Sequence, residues 1–140
     1  MPLPNRFLNN LTSAALAIAL ALVIGCTPAA EQEKRVGNLT VGVRTDPSPA
    51  ELGDNTITFF VTRDGAPLTD GIVRFRMFMA GMPMSTDTVW INAPHTKRGR
   101  YTGVGDFSMG GEWQVEVSVE TASGEPVQAT FPYTIRWELK

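Results

Sequence analysis

Sulfur is the most unusual chemical resource in this sequence. Five of its six methionines, Met77, Met79, Met82, Met84 and Met109, lie in the second half, three of them in Met79-Ala80-Gly81-Met82-Pro83-Met84. A thioether is a soft ligand that suits Cu(I) over hard ions. It is also a flexible filler of apolar cores. Phase separates the two uses. Met77 and Met79 continue the alternation of Val73 and Phe75, so they are expected to face a core, Met79 at the strand end. Met82 and Met84 flank Pro83, which pushes Met82 towards extended backbone. Residues two apart in an extended segment point the same way, so both sulfurs can converge on one ion. The candidate metal set is Met82, Met84 and Met109, with Met79 as a further ligand. The competing reading is an apolar plug or partner surface.

No catalytic set accompanies them. The chain has one histidine, His95, and one cysteine, Cys26. No glycine-rich phosphate loop follows a strand. Asp54, Asp64, Asp70 and Asp106 fall mostly in turns, where Asp is used for local hydrogen bonds. The expectation is a binding protein and not an enzyme.

Cys26 closes the run Leu22-Val23-Ile24-Gly25-Cys26. Before it come Arg6 as the positive charge, an apolar stretch from Ala14 to Ile24, and Gly25 as the small residue. This resembles a bacterial lipoprotein signal, and the apolar stretch is short of the roughly 20 residues of a membrane span. The resemblance implies lipid on Cys26: a diacylglycerol thioether, often with an added N-acyl chain such as palmitate. Thr27, in place of Asp, favours the outer membrane, facing the periplasm. The expected organisation is a signal peptide at 1–25, a flexible tether at 26–37 and a domain at 38–140. Thr27 to Val36 reads as tether because it is rich in small and charged residues. A lone cysteine excludes an internal disulfide. Removal of Arg6 leaves eleven basic residues against fourteen acidic ones, which excludes a nucleic-acid footprint.

The domain must position the methionines, and its pattern is that of strands. Apolar residues alternate at Leu39-Val41-Val43, Ile57-Phe59-Val61, Val73-Phe75-Met77-Met79, Val89-Ile91, from Tyr101, at Trp113-Val115-Val117-Val119, and at Val127-Ala129-Phe131-Tyr133-Ile135-Trp137. Turn residues separate them. Pro132 marks the last strand as a sheet edge. Seven strands without an amphipathic helix predict an all-β, antiparallel, immunoglobulin-like β-sandwich. In such a sandwich the third and sixth strands pair antiparallel. That brings Met79–Met84 to the same end as Phe107-Ser108-Met109-Gly110-Gly111. His95 is then expected at the other end, about 20 Å away, as a loop residue.

Three segments in this order resemble the YtkA-like domain family. They are Ile57–Leu68 with its Asp64-Gly65 turn and Pro67, Met79–Met84, and Gly99-Arg100-Tyr101 through Ser108-Met109-Gly110-Gly111-Glu112-Trp113. The resemblance spans about residues 38–136. It implies an immunoglobulin-like sandwich and a non-enzymatic role, in some relatives linked to copper handling or respiratory-oxidase assembly. It carries Met79, Met82, Met84 and Met109 over and leaves His95 aside. Two functions are therefore expected. One is a lipid-anchored Cu(I) binder or copper-delivery module. The other is an interaction module of an envelope complex, with Met82, Met84, Trp90 and the Pro132 edge strand facing a partner.

Overall fold

The computed structural model describes residues 29–84 and 87–137. The signal segment and Cys26 lie outside the described residues. Ten strands follow in order: β1 (Gln32–Val36), β2 (Leu39–Asp46), β3 (Gly53–Arg63), β4 (Ala66–Pro67), β5 (Ile72–Met79), β6 (Ile91–Asn92), β7 (His95–Lys97), β8 (Arg100–Phe107), β9 (Gly111–Glu120) and β10 (Val127–Ile135). One sheet has the order β1-β2-β3-β8-β7, with β4 pairing on β3, and the other β10-β9-β5-β6. Neighbouring strands run antiparallel. Among the described residues there is no helix. The predicted sandwich is present, and the seven predicted strands are β2, β3, β5, β6, β8, β9 and β10.

Alternation puts one apolar face of each sheet inside. Val41, Val43, Ile57, Phe59 and Tyr101 of one sheet and Phe75, Val115, Val117 and Phe131 of the other are fully buried. Burying each such side chain contributes about 1.5–3 kcal/mol. Aromatic pairs stitch the layers together: Phe59 to Phe75 at 5.4 Å, and Phe107 to Trp113 at 5.5 Å and to Tyr133 at 5.9 Å between ring centroids.

Strand β1 corrects the expected tether, because residues 32–36 of the 26–37 segment are paired to β2. Glu33 and Arg35 are exposed while Val36 packs against the core. Gln32 Nε2 donates to the Pro132 carbonyl at 2.7 Å, and Lys34 Nζ donates to the Thr130 carbonyl. Lys34 also lies 5.5 Å from the centre of the Phe131 ring. Strand β10 is the sheet edge that Pro132 predicted, yet β1 covers it. Charged side chains on a neighbouring strand protect an edge from further pairing. The composition of β1 resembles a tether because it is stabilised by its partners and not by its own apolar surface.

Two other expectations shift. The strand predicted around Val89 and Ile91 is reduced to Ile91–Asn92, and Val89 is 54% exposed. Strand β10 stops at Ile135, so Trp137 is not a core residue; it is 66% exposed. Its indole lies against Gly110, where a Cβ would come within 2.7 Å of the ring. Only glycine fits under the indole there.

Candidate functional site: the methionine end of the sandwich

Strands β5 and β9 pair so that Met79 stands opposite Trp113. The segment after β5 and the turn before β9 therefore share one end of the sandwich. Gly81, with φ 77°, turns the chain, and the Met82 amide donates to the Met79 carbonyl at 3.2 Å. A carboxylate fixes the next step. Asp87 Oδ2 accepts from the Met84 amide at 2.8 Å, and the Asp87 amide donates to the Met84 carbonyl at 3.1 Å. On the facing turn, Trp113 Nε1 donates to the Met109 carbonyl at 2.8 Å.

The four candidate methionines have different environments. Met79 is 9% exposed and belongs to the core. Its Cε lies 2.5 Å from where a Cβ on Gly111 would stand. The side chain that sequence offered as a further ligand therefore packs. Met82 is 49% exposed. Met84 and Met109 are half-buried against the core. Met77 is buried, with its sulfur 2.2 Å from the Cβ position of Gly105. Beside them lies an apolar pocket of about 220 Å³ lined by Met77, Met84, Val89, Ile91, Trp113 and, at its polar margin, Asp106 and Ser108.

Arg76 holds the loop that carries Met84. Its Nη2 pairs with Glu116 at 3.1 Å, its Nη1 donates to the Asp87 carbonyl at 3.3 Å, and its guanidinium lies 5.1 Å from the Trp90 ring and 5.5 Å from that of Phe78. A half-buried guanidinium with a carboxylate and two rings is worth more than an exposed pair. Alternation with Phe75 and Met77 puts Arg76 on the opposite face of β5 and carries no sign of this role. Asp87, three residues after Met84, was the available signal for a local turn. Trp90 is half-buried under Arg76 and Pro132 lies on a covered edge. Pro132 itself stays exposed, with only its carbonyl taken by Gln32, so the contact within the chain is greater at Trp90 than at Pro132.

His95 is at the opposite end, opposite Tyr101 in the β7–β8 pairing. Its ring is 5.1 Å from that of Tyr101, and its Nε2 accepts from the Gly99 amide at 3.2 Å. It is a structural residue in a short strand, not a loop residue. Tyr101 hydroxyl donates to the Leu68 carbonyl at 2.8 Å and accepts from the Gly71 amide at 3.1 Å. Burial raises the pKa of Tyr101 and, more strongly, that of Tyr133, whose hydroxyl also faces the Glu31 carboxylate.

The chain comes in at the methionine end. Glu31 amide donates to the Val43 carbonyl at 2.8 Å, and its carboxylate accepts from Tyr133 and Thr45 at 3.3 and 3.4 Å. Among the described residues no group of three or more His, Cys, Asp or Glu side chains is arranged to hold a metal. Thioethers are the donor set this end offers.

No curated protein matches this sequence. A crystal structure of a DUF4426 family protein from Pseudomonas aeruginosa PAO1 is similar, with a TM-score of 0.53 and 15% identity over 75% of this chain and 96% of that one. At that identity the likeness is one of fold. The soluble domain of PmoD from Methylocystis sp. ATCC 49242 aligns at a TM-score of 0.48 and 14% identity, over 74% and 96% of the two chains. The YtkA-like family matches residues 33–118, more than half of the sequence, and the chain belongs to that family.

Proposed function

We propose that this protein is a lipid-anchored binding module of the cell envelope, non-enzymatic, whose methionine end takes up Cu(I) through Met82, Met84 and Met109. One observation carries the reading. The Met79–Trp113 register brings the Met82-Pro83-Met84 segment and the Met109 turn to one end, with Met82 exposed and the other two half-exposed. Met79 supports this set from the core. Three neutral thioethers suit a soft monovalent ion. Titration of the protein with Cu(I) against a chromogenic chelator tests the reading. Wild type should compete at micromolar metal, and Met82→Leu/Met84→Leu should lose at least tenfold in affinity. No competition by wild type, or unchanged competition by the double variant, would overturn it.

The anchor in this proposal is lipid on Cys26, holding the protein at the outer membrane on its periplasmic side. Radiolabelled palmitate should enter the wild-type chain and not Cys26→Ser. Label in neither chain would remove the anchor from the proposal.

A second reading has its own support. The apolar pocket between Met84, Val89, Ile91 and Trp113 has the character of a recess for a partner's side chain. Recovery of an envelope protein by wild type and not by Ile91→Lys would favour that reading over metal.

A further inference from the structure

The outer face of the larger sheet carries a feature that neither reading uses. A groove of about 310 Å³ crosses β2, β3, β7 and β8. Arg44, Lys97 and Arg100 line it, with the hydroxyls of Thr58 and Thr102 on its floor and Phe60 beside them. It continues into a second hollow at Lys97, Arg98 and Arg100. Among the described residues none of these four cations has an ion-pair partner; the ion pairs are Arg74–Glu120 and Arg76–Glu116, on the other sheet. Thr58 and Thr102 hydroxyls are 3.2 Å apart, and the Arg100 guanidinium lies 5.5 Å from the Phe60 ring. One acid, Asp46, lines the groove. Asp54 and Asp106 face each other across β3 and β8, beyond Thr56 and outside it. A protein with a formal net charge of −2 thus keeps unpaired positive charge on one face.

The path of the N-terminal segment says what that face meets. Ala30 crosses the outer side of β2 at Gly42, where its Cβ would be 2.6 Å from any Cβ added to Gly42. The Ala29 carbonyl accepts from Arg44 Nη1 at 3.5 Å. Cys26 is three residues earlier, so its Cα cannot lie more than roughly 11 Å from that of Ala29. A lipid on Cys26 would therefore hold the Arg44 side of the groove within reach of the headgroup layer.

We propose that this groove docks the domain on anionic phospholipid, with Arg44, Lys97 and Arg100 taking headgroup phosphates and whichever hydroxyl of the Thr58–Thr102 pair accepts within the pair donating to a phosphate oxygen. Guanidinium forks match phosphate geometry, and each basic side chain near an anionic surface strengthens binding on the order of fivefold. The placement of the face rests on the lipidation reading; the charge of the groove does not.

The test is co-sedimentation of the full-length Cys26→Ser chain, free of lipid, with vesicles of phosphatidylcholine alone or with phosphatidylglycerol. The apolar leader contributes to both, so the excess on anionic vesicles is the readout. That excess should be tenfold or more at low salt and should fall as salt screens it. Lys97→Glu, at an exposed position, should reduce it at least fivefold with an unchanged melting temperature, and Arg44→Gln should reduce it on the order of fivefold. Equal binding to both vesicles, or an excess indifferent to Lys97→Glu, overturns the proposal. Loss of the excess to millimolar inorganic phosphate would point to a free-phosphate site, and binding to poly-glutamate with none to anionic vesicles would point to an acidic protein. Both outcomes overturn the lipid assignment. Failure of palmitate labelling leaves this measurement unaffected, so the two readings fail separately.

Discussion

The two ends of the sandwich use their polar and soft groups in opposite ways. At the Tyr101 end they are consumed. The hydroxyl bonds Leu68 and Gly71, the imidazole of His95 accepts from Gly99, and Gly99 itself sits where a Cβ would meet the Val61 carbonyl at 2.6 Å. At the methionine end they are left over. Met82 is half exposed, Met84 and Met109 are partly so, and an apolar pocket opens beside them. The difference teaches that the lone histidine, although exposed, already spends its Nε2 on the Gly99 amide, whereas the thioether of Met82 is exposed and those of Met84 and Met109 are half-buried.

The comparison breaks most easily at Tyr101. Tyr101→Ala removes a fully buried ring, and a loss of roughly 3–5 kcal/mol in denaturant unfolding is expected; Met82→Leu, at the exposed end, should change stability by less than about 0.5 kcal/mol. Tyr101→Phe is narrower. It strands the Leu68 carbonyl and the Gly71 amide, with a cost of about 1–3 kcal/mol. The ends should also separate in Cu(I) competition, where His95→Ala leaves the affinity of wild type unchanged while Met82→Leu/Met84→Leu lowers it tenfold or more.

Base sharpens the contrast further. Both buried tyrosines keep their protons in the folded state above the ordinary value of 10.0. Their contribution to stability is therefore complete below about pH 10 and is lost as pH rises through the raised folded values. Unfolding curves from pH 8 to 11 should show a fall beginning near pH 10, and Tyr133→Phe should make it shallower. The smallest effect is expected at the covered edge. Lys34→Ala removes a bond to the Thr130 carbonyl and the contact with Phe131, for about 0.5–1 kcal/mol in the same measurement.

Much of this architecture was legible because period-two alternation is a local property. Val73-Phe75-Met77-Met79 and Trp113-Val115-Val117-Val119 declare their inward faces without reference to any other strand. Strand β1 was not legible. Glu33, Lys34 and Arg35 look solvated until β2 and β10 supply the groups that Gln32 and Lys34 bond. Trp137 was misplaced because alternation says nothing about where a strand stops. Alternation places Arg76 on the face opposite Phe75 and Met77 and says no more, since its contacts with Asp87 and Trp90 come from the following loop and that with Glu116 from β9.

By itself the sequence determined the class of fold, the sheet edge at Pro132, the grouping of Met82, Met84 and Met109 at one end, and the separation of His95 from them. These follow from alternation and from one antiparallel pairing, which neighbouring residues encode. Only the tertiary structure decided that Met79 packs against Gly111, that Trp90 lies under Arg76, and that Arg44, Lys97 and Arg100 share a groove beside the path of the N-terminal segment. Those facts depend on residues far apart in the chain. Burial and unpaired charge are set by what the remaining strands place around a side chain, and no local pattern carries that information.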